Sequence, residues 1–384
     1  MKKGQMYIHI ILLSIAILTY SSMCWINFAK EMLFGNLAYV SYDDTESEEK
    51  SDDSIEKNKI YMYAKSFDDK IKQFDYRWYN SMYGKDSLSK TDSTITYMTI
   101  DEVISNNVLM GNNGWLFYKS KSDGDSIADY EGTNLYSNDY MDSILENLSF
   151  VQDKFESMGI EFVILVAPNK ENIYYEYMPD KYIHADISRT DILIDYLYDN
   201  DINIVNPKQE LLHYHNDFQL YYYYDTHWNQ LGAYIGVRAI ASFWGENMPN
   251  LDACSISSKK LSEVDYPFAS DDLAEMIGLK DYLINEMEYE IKETVPTEQA
   301  LYGEDIVSYF HNSNAENDLK VLLIGDSFRT AMIPALRMMY TDVYVVYKLD
   351  YSSKILDEIC PDRVIVEYVE RYSGQLFDLN FLIE

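Results

Sequence analysis

One stretch constrains this chain more than any other. Lys320 to Ile324 is an apolar run rich in β-branched residues, and Gly325-Asp326-Ser327-Phe328 follows it at once. Such a run reads as a strand buried on both faces, as in the middle of a parallel sheet. Gly325 permits a tight turn, and from Phe328 onward Met332, Leu336 and Met339 recur at helical spacing, so a helix is expected over 328–340. A serine between a buried strand and a helix N-terminus is exposed at a sheet edge. Its own N–H lies in a positive backbone field that can hold an oxyanion. The plainer alternative is a Gly-Asp-Ser turn whose Asp or Ser only caps the helix. A second stretch far upstream, Asp225-Thr226-His227-Trp228, argues for more than a cap.

The same alternation runs through most of the chain. Val108 to Tyr118 reads as two short strands around Gly111-Asn112-Asn113-Gly114. Met141, Ile144, Leu145, Leu148, Val151, Phe155 and Met158 mark an amphipathic helix, closed by Gly159. Phe162–Ala167 is a buried strand ended by Pro168-Asn169-Lys170, then come a helix over about Asp191–Tyr198 and a strand at Ile202–Val205. A helix with an inward stripe of Ala233, Val237, Ile240 and Trp244 follows the Asp225–Trp228 motif. Asp271–Leu279 reads as a short helix inside an otherwise hard stretch, 249–319. Strand Val343–Tyr347, helix Ser353–Ile359 and strand Val364–Val366 complete the pattern. Short connections between such elements imply right-handed crossovers and one three-layer α/β/α domain with a doubly wound parallel sheet. Working residues collect just past the carboxyl ends of such strands, where Pro168–Lys170, Ser327 and Glu367 would all be.

Ahead of this domain the character changes. Lys2 and Lys3 precede an apolar run from Met6 to about Phe28, long enough to span a bilayer as one helix. The run lacks a clear small-residue cleavage site, so an uncleaved anchor is favoured, with residues 1–30 as anchor and the remainder outside the cytoplasm. A secretory signal removed on export would change the tether but not the compartment. Residues 31–59 form an acidic, serine-rich linker, and 60–104 a helical lead-in to the domain at 105–384.

Charge narrows the partners. A net charge of −33 over 384 residues rules against nucleic acid, whose phosphates need basic patches, and argues against direct adhesion to anionic lipid. The 37 tyrosines suit half-buried surfaces and sugar stacking, although most are expected to be structural. Of the three cysteines, Cys24 lies in the apolar N-terminal run; the one disulfide left open, Cys254–Cys360, is not expected.

A serine hydroxyl is a poor nucleophile at neutral pH, so it needs a base, and the base needs a group to orient it. Asp225 and His227 are two apart, and in extended backbone their side chains point the same way. The carboxylate can then hold one imidazole nitrogen while the other faces Ser327. For a lone histidine a capping or core role is the plainer assumption; two motifs at sheet-edge positions favour catalysis by Asp225, His227 and Ser327. Asn229, or an amide near Asn169, is a candidate to complete an oxyanion hole with the Ser327 N–H, against the plainer role of helix cap. Lys170 is a candidate to contact an acyl or sugar oxygen, against that of a solvated turn lysine. Glu367 and Arg371 are expected to pair and brace the sheet edge. His213 and His215 show no metal-ligand spacing to Asp225 and His227, and no cofactor is expected.

Taken in order, Gly111-Asn112-Asn113-Gly114-Trp115-Leu116-Phe117, Pro168-Asn169-Lys170, Asp225-Thr226-His227-Trp228, Asp272-Leu273-Ala274, Gly325-Asp326-Ser327-Phe328 and Glu367–Arg371 carry a resemblance. Over about residues 105–384 the chain resembles the SGNH-hydrolase-like domain of alginate O-acetyltransferases (AlgX and AlgJ type), and more closely the DHHW proteins. The resemblance implies a triad at Asp225, His227 and Ser327 and an exported or membrane-tethered protein. It also implies a surface polysaccharide as acceptor and a multi-spanning membrane O-acyltransferase as acyl supplier. Three functions follow as alternatives: an extracytoplasmic O-acetyltransferase, an esterase passing the same acyl-enzyme to water, and a catalytically silent scaffold binding glycan or partner.

Overall fold

In the computed structural model the apolar run 320–324 lies inside a nine-residue strand, Asn317–Gly325, close to the middle of a seven-stranded sheet. The structure describes residues 105–264, 268–283, 286–292, 298–302 and 307–383. The expected anchor, linker and helical lead-in lie outside these residues. Among the described residues no helix is long and apolar enough to cross a membrane.

Along the chain the strands are β1 (Val108–Met110), β2 (Leu116–Tyr118), β3 (Glu161–Ala167), β4 (Ile204–Val205), β5 (Ile256–Lys260), β6 (Met287–Ile291), β7 (Glu298–Tyr302), β8 (Val307–His311), β9 (Asn317–Gly325), β10 (Tyr340–Tyr347) and β11 (Arg363–Val369). The main sheet runs β4-β3-β11-β9-β10-β8-β7. Its first five strands are parallel, and β8 and β7 close one edge antiparallel. An all-parallel sheet was expected, so this edge is a correction. It was hidden because the segment 249–319 shows no clean alternation, and β5, which pairs with β6 in a separate ribbon, reads Ile-Ser-Ser-Lys-Lys.

Alternating side chains of the parallel strands enter two cores. Val163, Leu165, Val321, Leu323 and Ile365 pack with Leu231, Ile235 and Ile240 of the helix Gln230–Phe243 and with Leu336 and Met339 of the helix Ile333–Met339. Phe162, Ile164, Leu322, Ile324, Val364 and Val366 pack instead with Ile144, Leu148, Val151 and Phe155 of the helix Asn138–Ser157, and with Leu356 and Ile359 of the helix Ser353–Ile359. Strands buried on both faces need no polar alternation, which is why they read as continuous apolar runs. A smaller core joins Val108 and Leu116 of the β1–β2 hairpin to Leu273 and Ala274 of the short helix Asp272–Met276.

Local chemistry sets several boundaries. The helix Arg189–Asp199 begins at a capping box in which Ser188 and Asp191 each accept the other's backbone N–H. The strand expected at Ile202–Val205 shrinks to Ile204–Val205, because the Ile202 N–H instead closes the helix end on Leu197 O at 3.1 Å. The helix expected over 328–340 is a 3₁₀ segment, Ser327–Met332, followed by α-helix Ile333–Met339. Pro334 has no N–H to serve the Thr330 carbonyl, which accepts from Ile333 instead. Cys254 and Cys360 are not joined in a disulfide.

Gly236 lets the Gln230–Phe243 helix pack closely on Trp228 and on Leu165 of the sheet. A Cβ there would meet Trp228 Cη2 at 2.8 Å and Leu165 Cδ2 at 3.5 Å, and the Trp228 ring is fully buried. Gly236→Ala is therefore expected to destabilise the fold by about 1–3 kcal/mol despite its better helix propensity; urea unfolding would measure it, and an unchanged or raised midpoint would refute the packing argument.

Candidate active site

Ser327 stands two residues beyond the end of β9, exposed, on the first turn of the 3₁₀ segment. The register pairs Gly325 with Glu367 of β11 and Tyr347 of β10, so the turn leaves the sheet between two neighbours. A Cβ on Gly325 would lie 2.6 Å from Glu367 Oε2, so only glycine lets the strand pass that carboxyl. Asp326 holds the turn: its Oδ1 accepts from the Phe328 N–H at 3.0 Å and its Oδ2 from Val369 N–H at 2.9 Å, while its own N–H donates to Glu367 Oε2 at 3.1 Å. Asp326 is thus the cap, which leaves the Ser327 hydroxyl for other work. Burial, then the Asp326 charge, pushes Glu367 well above the usual carboxylate range. The Ser327 N–H belongs to a first helical turn, where no intrahelical acceptor exists.

The segment Leu220–Asn229 folds back on itself, with Tyr221 bridged to Trp228 and the Asn229 N–H donating to Leu220 O at 2.9 Å. Asp225 and His227 sit at its tip, in a bend rather than the extended backbone expected. Asp225 Oδ1 accepts from the His227 N–H at 2.9 Å, the short-range closure characteristic of an aspartate turn, and lies 2.5 Å from His227 Nδ1. Its Oδ2 accepts from Ser270 N–H at 2.7 Å and Ser270 Oγ at 2.8 Å. The opposite ring nitrogen, Nε2, is 2.6 Å from Ser327 Oγ. Trp228 ties the two motifs together, its Nε1 donating to Phe328 O at 2.9 Å, and the Phe328 ring lies 4.8 Å from the imidazole.

Electrostatics follow from these contacts. Burial alone would raise Asp225, but the His227 charge and its hydrogen bonds outweigh that and hold the carboxyl well below its ordinary range. Burial likewise opposes the His227 imidazolium, yet the Asp225 carboxylate overrides it and the imidazole pKa is raised.

Other expected residues take different roles. Asn229, a candidate for the oxyanion hole, is fully buried as the cap of the Gln230–Phe243 helix. Its Oδ1 accepts from Leu231 and Gly232 N–H, and its Nδ2 donates to Gln219 O at 2.7 Å, so both ends of the amide are engaged with backbone. The Asn169 N–H is likewise spent, on Glu370 Oε2 at 2.7 Å. Lys170 is no solvated turn lysine: its buried Nζ donates to the carbonyls of Tyr222, Tyr223 and Asp225 at 3.0, 3.3 and 2.7 Å, with the rings of Trp115 and Phe117 over it. Burial lowers its pKa to about 8. Glu367 and Arg371 do not pair; Glu367 turns to Asp326, and Arg371 lies against Tyr118, Phe328 and Tyr372.

Sequence reasoning missed Ser270, which sits in a stretch without periodicity, and gave Asp272 no role. Asp272 accepts from Thr226 N–H at 2.8 Å and Thr226 Oγ1 at 2.6 Å. Ligand-type atoms of Asp225, His227 and Asp272 lie within 4.8 Å of one another, a grouping that does not include His213 or His215. Both carboxylates there are already engaged by Ser270, His227 and Thr226, so hydrogen bonding accounts for the cluster.

The layout is that of an α/β protein with serine, histidine and aspartate joined at the carboxyl edge of a mostly parallel sheet. Residues 108–335, more than half the chain, match the family described as "SGNH hydrolase-like domain, acetyltransferase AlgX". The chain belongs to that family, and membership supports an O-acetyltransferase-like function. Among solved structures it is similar to PatB1 of Bacillus cereus (14% identity, 71% of this chain and 99% of that one, TM-score 0.46). It is also similar to a DHHW family protein of Eubacterium siraeum DSM 15702 (16% identity, 74% and 98%, TM-score 0.49). A third is the O-acetyltransferase domain of Pseudomonas putida AlgJ (17% identity, 71% and 94%, TM-score 0.43). No curated protein sequence matches the chain.

The Asp225–His227 contact makes a measurable demand on protonation. The His227 imidazole should titrate above its ordinary 6.5, remaining charged at low pH and becoming neutral only as pH rises through the raised value. In Asp225→Asn the midpoint should move down, because the supporting charge is gone. Side-chain NMR across pH would show both, and a midpoint unaffected by Asp225→Asn would contradict the contact.

Proposed function

We propose that the chain is an extracytoplasmic O-acetyltransferase acting on a cell-surface or secreted polysaccharide through an acyl-enzyme on Ser327. The observation that carries the reading is the 2.6 Å contact between His227 Nε2 and an exposed Ser327 Oγ, with Asp225 behind the imidazole. Family membership supports the acetyl group as cargo. His227 takes the Ser327 proton as Oγ bonds the acyl carbon; the Ser327 N–H faces the tetrahedral oxyanion. The leaving group departs with that proton. A sugar hydroxyl then attacks the acyl carbon, giving its proton to His227, and Ser327 Oγ leaves and recovers it. The apolar run Met6–Phe28 supports a membrane anchor that keeps the domain outside the cytoplasm, with a membrane-bound O-acyltransferase supplying acetyl groups.

Ser327→Ala should abolish labelling by a fluorophosphonate and cut turnover of an aryl acetate by about 10³-fold or more. Equal turnover by the parent and Ser327→Ala would remove both enzymatic readings and leave the scaffold. With labelling established, acetyl carried to an oligosaccharide supports transfer, whereas release only as acetate would make the protein an esterase.

A further inference from the structure

We propose that Asp272 is a second carboxylate for His227, a positioning residue that shares with Asp225 the task of holding the imidazole and its Nδ1 proton, and that takes that proton over when Asp225 is neutralised. The inference rests on the acyl-transfer reading above.

The geometry is specific. Asp272 Oδ2 lies 3.9 Å from His227 Nδ1, inside ion-pair range yet too far for a hydrogen bond while Asp225 holds the ring. Thr226 stands between them, 2.6 Å from Asp272 Oδ2 and 3.4 Å from His227 Nδ1 through the same hydroxyl. Asp272 is not a drifting surface acid. It opens a short helix whose Leu273 and Ala274 are buried against the β1–β2 hairpin, and the Ala274 N–H donates to Tyr224 O at 3.1 Å. That contact and the two from Thr226 fix the carboxylate relative to the loop that carries His227. Burial, then the Asp225 charge, raises Asp272, and the His227 charge opposes that rise, just as the Asp272 charge favours the imidazolium.

The remaining charged groups around the ring do not supply this function. Arg371 opposes protonation of His227. Lys170 is spent on backbone carbonyls. Lys280 donates to Ser270 O at 2.7 Å, and burial, then the Asp225 charge, raises neighbouring Asp271 to about 6. Asp225 itself has both oxygens doubly engaged. A small swing of the imidazole toward Asp272 exchanges one carboxylate for the other without unfolding the loop.

The test uses the full chain and two readouts: NMR titration of His227, and the pH dependence of fluorophosphonate labelling of Ser327. Asp272→Asn removes the charge while keeping an acceptor for Thr226, and should lower the His227 midpoint and slow labelling severalfold. Asp225→Asn should retain measurable labelling. Asp225→Asn combined with Asp272→Asn should be slower than the product of the two single effects by at least about threefold. Asp272→Glu keeps the charge and should hold the midpoint above that of Asp272→Asn, which separates charge from a merely damaged turn. Strictly multiplicative losses, or a midpoint indifferent to Asp272→Asn, would overturn the inference. A parent chain that never labels would defeat the proposed function instead, and the NMR titration would still decide the role of Asp272.

Discussion

The site depends on keeping one buried charge satisfied. Asp225 is fully buried, and an uncompensated carboxylate in that position would cost several kcal/mol. It is tolerated because two N–H groups, one hydroxyl and one imidazole converge on its two oxygens. Those donors come from two separated parts of the chain, the loop itself and Ser270. Satisfying the charge therefore folds the loop and aims the histidine in a single event. Lys170 completes the arrangement from behind, its ammonium gathering three carbonyls that the tight loop turns inward.

Apolar packing then delivers the serine to that histidine. The Trp228 indole is fully buried, with its N–H on the carbonyl of Phe328, the residue after the serine. The loop carrying His227 and the turn carrying Ser327 are thus joined by a hydrogen bond that excludes water, next to the polar contact the chemistry needs. Beneath them, Gly325, Asp326 and Glu367 lock the end of β9 to β11. A parallel sheet with its strand ends in register places all of this at one edge.

Periodicity made the parallel strands and the long helices legible, because strands buried on both faces are continuous apolar runs and the helices carry clean stripes. It failed where side chains are half-exposed, as in β5, and where backbone capping overrides pattern, as at Ile202 and Pro334. The three residues of the proposed triad could be named from motif chemistry. Asn229 took the plainer of its two roles and Lys170 took neither of those considered, for a shared reason: a polar side chain beside a motif reads the same whether its atoms face substrate or its own backbone. Asn229 caps a helix and Lys170 binds carbonyls, and only coordinates distinguish those uses.

By itself, the sequence determined the alternation of strand and helix, the Gly-Asp-Ser turn at a strand end and the pairing of an aspartate with a histidine two residues on, because each is a local pattern with a local physical cause. The tertiary structure decided the antiparallel edge of the sheet, the second pair of donors on Asp225 and the place of Asp272 beside the imidazole. Those contacts join segments distant along the chain, and what brings them together is burial of charge and apolar surface, which no short window of residues records.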